Sequence, residues 1–203
     1  MITMLLGLAM TLTGPDLGTL LRVQDYPEWA VNKSSSAAAL VRLLVDPTGK
    51  IVRCETVATE GNANLAAQIC VVARHHKVHP AITADGSPAW SQAMTMARFY
   101  IPGAAEADRI AKLGQSPDAE LTVNRLPGGA GMIDVKVVLA VDEQGVPTLC
   151  TTDPRSDVGG NPAALAAAVC ANRATLGLKT VTAPDGHPLR YVTPLTVRLI
   201  AAR

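Results

Sequence analysis

Val41-Arg42-Leu43-Leu44-Val45-Asp46-Pro47-Thr48-Gly49, followed by Ile51-Val52-Arg53-Cys54, sets the architecture because the chain writes it twice. The second version is Val137-Val138-Leu139-Ala140-Val141-Asp142-Glu143-Gln144-Gly145, followed by Val146-Pro147-Thr148-Leu149-Cys150. Asp46, Gly49 and Cys54 fall on Asp142, Gly145 and Cys150 at a constant spacing. After a short insertion in the second copy, Leu65, Ile69 and Cys70 fall on Leu165, Val169 and Cys170. Asp85-Gly86-Ser87-Pro88 then falls on Asp185-Gly186-His187-Pro188. Self-similarity on this scale comes before any other reading. Two copies of domain length describe a tandem pair and exclude a solenoid of short stacked repeats.

Outward from the quoted stretch, residues 39–45 predict a strand with Ala39, Val41, Leu43 and Val45 on one face and Arg42 on the other. Asp46-Pro47-Thr48-Gly49 predicts a turn, since proline presets φ and glycine accepts a positive one. Residues 51–58 return, so each copy begins as a hairpin. Leu65, Ile69, Val72 and Ala73 then lie at helical spacing, predicting a helix over 65–75. In the second copy Asn161-Pro162 supplies a helix start. After Asp-Gly-x-Pro, a third strand follows over 89–100 and again over 189–200. The unit is strand–strand–helix–strand, an α+β fold. The division is 17–101 for the first copy, 102–130 for a linker, and 131–203 for the second. The linker is punctuated by glycine and proline, with a short helix expected within 104–113.

Composition narrows the function classes. The chain is 48% apolar but only 3% aromatic, so each copy has a core of small side chains that covalent staples would support. A net charge of +1 without a basic run lacks the footprint of a nucleic-acid binder. No stretch approaches the ~20 apolar residues of a membrane span. Residues 1–16 open with an apolar, uncharged run that resembles the core of a secretory signal without its basic leader; a first strand or an unstructured start is the alternative. Each copy carries one cysteine at the end of a predicted strand and one within a predicted helix. Recurrence of both members predicts disulfides Cys54–Cys70 and Cys150–Cys170 in an exported protein, against the alternative of buried thiols.

One resemblance draws these features together. Tyr26-Pro27-x-x-Ala30, Val45-Asp46-x-x-Gly49-x-Ile51, a helix ending in Arg74, Val78-His79-Pro80-Ala81 and Asp85-Gly86-x-Pro88 together resemble the C-terminal domain of the TonB/TolA-like energy-transducer family. The likeness covers residues 26–101. The second copy keeps Val141-Asp142-x-x-Gly145-x-Pro147 and Asp185-Gly186-x-Pro188, and joins the likeness mainly through the internal repeat. The resemblance implies two tandem units, each a three-stranded antiparallel sheet with one helix on a face and the third strand at an edge. It also implies that this edge accepts an extended peptide, such as a segment of an outer-membrane receptor, by strand addition. The expected acceptor positions are Ser91, Ala93, Thr95, Ala97 and Phe99. Pro194, within the second third strand, suits an edge. Closure of an edge by the other copy, or self-association through it, is the alternative.

The functional expectation is an exported, periplasmic or cell-envelope, non-enzymatic binding module with a protein or peptide partner and no cofactor. The alternatives are a cell-wall or other envelope ligand binder on the same scaffold, and a histidine-based metal protein. The last rests on His75 and His79, four apart, which would share a helical face were Pro80 not so near. Asp46 and Asp142 recur, but aspartate in such a turn bonds its own backbone. Neither Gly-x-Ser-x-Gly nor a P-loop pattern occurs.

Overall fold

The computed structural model describes residues 12–155 and 162–202. Among these, four α-helices and eleven strands make a mixed α/β fold around one mainly antiparallel sheet. The apolar start over 1–11 and the expected cap at Asn161 lie outside the described residues.

The first half opens with a short helix α1 (Glu28–Asn32) and two long strands, β1 (Ala37–Val45) and β2 (Ile51–Gly61). The hairpin turn is tied by one carboxylate: Asp46 Oδ1 accepts from the backbone N–H of Thr48 at 2.8 Å and of Lys50 at 3.0 Å. Helix α2 (Ala63–Ala73) is capped by the Asn62 side chain, which accepts from Leu65 N–H at 3.1 Å. It buries Leu65, Ile69 and Ala73 against the odd-numbered face of β1. The helix ends two residues before the expected His75, because the N–H groups of His75 and His76 turn back in i→i−3 bonds to Val72 and Ala73. The two-residue strands β3 (Ala81–Ile82) and β4 (Pro88–Ala89) form a separate ribbon around Asp85-Gly86. The third long strand, β5 (Ser91–Phe99), pairs antiparallel with β1 without a register break.

The segment expected as linker is structured. It holds α3 (Ala107–Lys112) and a strand β6 (Ala119–Val123), and Leu126 is buried. Alternating half-buried Ala119, Leu121 and Val123 sit in a glycine- and proline-rich context that masked this short strand in the sequence.

The order then repeats: β7 (Met132–Val141), β8 (Pro147–Thr152), α4 (Pro162–Ala171), the ribbon β9 (Val181–Thr182) with β10 (Pro188–Leu189), and β11 (Tyr191–Ala201). Asp142 Oδ1 ties its turn as Asp46 does, accepting from Gln144 N–H at 3.0 Å and Val146 N–H at 2.8 Å. Both disulfides form: Cys54 on β2 bonds Cys70 on α2, and Cys150 on β8 bonds Cys170 on α4. Each fastens an outermost strand of the sheet to a helix.

The main sheet runs β2-β1-β5-β11-β7-β8, with β6 beside β11. The two third strands therefore meet in its middle, and they run parallel. Placing equivalent strands side by side and parallel turns one half over relative to the other, so α2 and α4 cover opposite faces. The cores show this. Leu44 points away from α2 and joins the cluster of Leu165 and Val169 from α4. Reciprocally, Val138 and Val192, on the face of β7 and β11 away from α4, cluster with Leu12 and Ala81. Each half thus packs onto the bare back of the other, burying apolar surface that a one-sided sheet would leave wet. Arg53 Nη2 adds a bond to the Thr182 carbonyl at 2.7 Å.

Candidate functional site

The expectation of an open third-strand edge is corrected where the two halves join. Val192 N–H donates to the Trp90 carbonyl at 2.8 Å, and Ser91 pairs with Val192. Ser91 is fully buried and its hydroxyl has no hydrogen-bond partner among the described residues. Beyond this point β5 and β11 separate into a fork. On the β11 side, Asp118 takes the next rung: its N–H donates to Thr196 O at 2.7 Å, and its Oδ2 accepts from Thr196 N–H at 2.8 Å. Strand β6 then continues parallel to β11, from Ala119 opposite Val197 to Val123 opposite Ala201.

Pro194 stands at the crotch of this fork. Val192 and Thr196 both turn their N–H groups toward the β5–β6 side, so in a regular strand position 194 faces the same way. Among the described residues no strand is paired there, and a residue without an N–H leaves no donor unsatisfied. The proline marks a local gap in a central strand rather than a sheet edge. Burial pushes the Asp118 carboxyl above the usual aspartate range, against the bond from Thr196 N–H.

The same parity fixes what β5 offers. Trp90 turns its carbonyl toward β11, so even-numbered positions face outward and odd-numbered ones bond β1. The side chains of Ser91, Ala93, Ala97 and Phe99 are buried, and Thr95 is half-buried. Outward backbone groups belong instead to Met94, Met96 and Arg98, and no strand pairs with that side beyond Ser91 among the described residues. Arg98 donates from Nε to the Ile110 carbonyl at 3.2 Å and from Nη2 to the Leu113 carbonyl, closing the end of α3.

The remaining motif residues do not gather into one cleft. Tyr26 packs its ring against Phe99, centroids 5.0 Å apart, and donates its hydroxyl to the Ser35 carbonyl. Burial raises its pKa. Pro27 starts α1 and Ala30 is fully buried. Asp46 and Gly49 hold the hairpin turn, while Asp85, Gly86 and Pro88 hold the β3–β4 ribbon. Pro80 follows His79, whose carbonyl accepts from Asp16 N–H at 3.0 Å. His75 and His79 lie beyond the end of α2, so they share no helical face. His76 instead meets Asp25, Nε2 to Oδ2 2.8 Å. Among the described residues no three His, Cys, Asp or Glu side chains come together as a metal cluster, and no helix is long and apolar enough to cross a membrane.

The second copy also carries a counterpart of the first copy's opening motif. Leu126-Pro127-Gly128-Gly129-Ala130 stands at the spacing from Tyr26-Pro27-Glu28-Trp29-Ala30 that carries Cys70 onto Cys170. The structures agree: Ala30 N–H donates to Pro27 O at 2.9 Å, and Ala130 N–H to Pro127 O at 3.2 Å. The second copy thus retains a counterpart of Tyr-Pro-x-x-Ala, with leucine for tyrosine. Neither protein-family models nor curated proteins nor solved structures yield a match to this chain.

Proposed function

We propose that the chain is an exported, non-enzymatic binding module of the TonB C-terminal type, two units joined through their third strands, that takes an extended peptide by strand addition. The observation that supports this reading most is the unequal fork. Strand β6 adds in parallel to β11, whereas the corresponding side of β5, from Met94 to Arg98, has no strand beside it among the described residues. The chain's own β6 is a template for what a peptide would do on β5. The outer edges suit this role less. Strand β2 carries a bulge near Val57 and charged Arg53 and Glu55, and β8 is short, with Pro147 and a register shift. Such features blunt edges. Strand β5 has an unbroken register and two methionines, whose flexible side chains adapt to varied partners. Two disulfides suit an oxidising compartment such as the periplasm.

The test is selection of peptides from a random library against the oxidised full chain, followed by amide exchange on the complexes. Bound peptides are expected to slow exchange at Met94, Met96 and Arg98. Met96→Pro is expected to abolish binding and Met96→Ala to retain it, since proline removes an outward N–H that β1 does not use. Selected peptides that protect only β2 or β8, or that bind Met96→Pro unchanged, would count against this edge.

A further inference from the structure

The two copies differ most at one place between helix and sheet. In the first, the rings of Tyr26 and Phe99 meet within the cluster that contains Leu65. In the second, the corresponding positions hold Leu126 and Leu199 beside Leu165. The neighbouring replacements run the same way: Trp29 becomes Gly129, Glu28 becomes Gly128, and Gln68 becomes Ala168. Every one of these exchanges removes volume. The result is a cavity of about 590 Å³ whose walls include Val123, Leu126, Leu165, Ala168 and Leu199. Its size falls in the range of small-molecule sites, roughly 300–1,000 Å³.

Charge changes at the same place. Asp25, which in the first copy engages His76, is replaced by Arg125 in the second. Arg125 is exposed at the cavity and makes no ion pair among the described residues. Among the described residues no acidic side chain lines the space. The hollow is mostly apolar among the described residues and Arg125 is the cation beside it, which is complementary to one chemistry. We infer that this cavity binds a small monoanionic amphiphile, an acyl or aryl carboxylate whose apolar body occupies the space the missing rings leave and whose carboxylate meets Arg125. This site is separate from the β5 edge and does not depend on it.

The test is calorimetric titration of the full, disulfide-intact chain with dodecanoate below its micelle-forming concentration. Saturable one-site binding is expected. Leu126→Tyr with Leu199→Phe, which restores the rings of the first copy, should abolish it. Ala168→Gln closes the cavity from the helix side and should do the same, so the outcome stands even where the double variant fails to fold by near-ultraviolet circular dichroism. Arg125→Gln should weaken dodecanoate about fivefold, the scale of an exposed ion pair, and leave dodecanol binding unchanged. Absence of saturable binding would overturn the inference. So would binding undiminished in the closed variants, equal loss of acid and alcohol in Arg125→Gln, or association only with anionic phospholipid vesicles.

Discussion

Gly49 and Gly145 occupy the same place in the repeated Asp-x-x-Gly turn and nearly the same backbone conformation, with φ of 81° and 83°. Alanine at either position pays the left-handed penalty of roughly 1–2 kcal/mol. The surroundings differ. A Cβ on Gly49 would lie 2.0 Å from the Val78 carbonyl oxygen, whereas one on Gly145 would lie 3.0 Å from the Thr180 nitrogen. The first approach forces the Val78 backbone back by about an ångström or more; the second asks for a few tenths. Val78 is buried in the first core, and its N–H donates to the Gly49 carbonyl at 2.9 Å, so the retreat also disturbs that bond, worth about 0.5–1.5 kcal/mol. Gly145→Ala should therefore cost about 1–2 kcal/mol and Gly49→Ala about 1.5–3.5 kcal/mol. Urea unfolding of the oxidised chain, with the slope checked for constancy, gives both values. Amide exchange at Val78 should accelerate only in Gly49→Ala. Equal losses, or a larger loss for Gly145→Ala, would refute the account, because they would make the turn conformation rather than the close approach the reason for glycine.

Replacing Cys54 and Cys70 by alanine should cost about 3 kcal/mol in the chain-entropy account, and replacing Cys150 and Cys170 nearly the same, since the sequence separations are 16 and 20; denaturant midpoints decide, and a loss under about 1 kcal/mol would argue against that origin. Asp118 and Asp134 should show opposite pH signatures. Burial raises the Asp118 pKa, so stability falls as pH rises from the ordinary aspartate value through its folded one, and Asp118→Asn should be at least as stable as the parent at neutral pH while erasing that slope. The bond from Arg198 holds the Asp134 carboxyl low, so its contribution is present above the unfolded value and lost as pH falls through the folded one; Asp134→Asn should flatten the acid limb of a stability–pH curve. Pro194→Ala should cost about 1–3 kcal/mol, because the restored N–H faces the fork without a strand partner among the described residues; a change under about 0.5 kcal/mol would mean that water reaches that N–H instead.

The local units follow from the residue pattern alone. Alternation in residues 39–45 and in 133–141 carried the strands, Asp46 and Asp142 carried the turns, and Leu65, Ile69 and their counterparts carried the helices. The cysteine pairs were legible because recurrence at matched positions is a long-range constraint written directly in the residues. Leu126-Pro127 was legible too, and was hidden only by the exchange of tyrosine for leucine.

How the sheet continues depends on contacts between distant parts of the chain. Strand pairing is made by backbone N–H and C=O groups that every residue but proline carries alike, so no side-chain pattern announced that β5 meets β11, that the two halves cover each other's back faces, or that β6 fills one side of the fork and not the other. The one residue lacking that donor, Pro194, did leave a mark in the sequence. Its meaning, a gap inside a central strand, depends on three segments brought together from distant parts of the chain. The same holds for the cavity of the second half: each truncated side chain is ordinary by itself, and only packing puts them around one space.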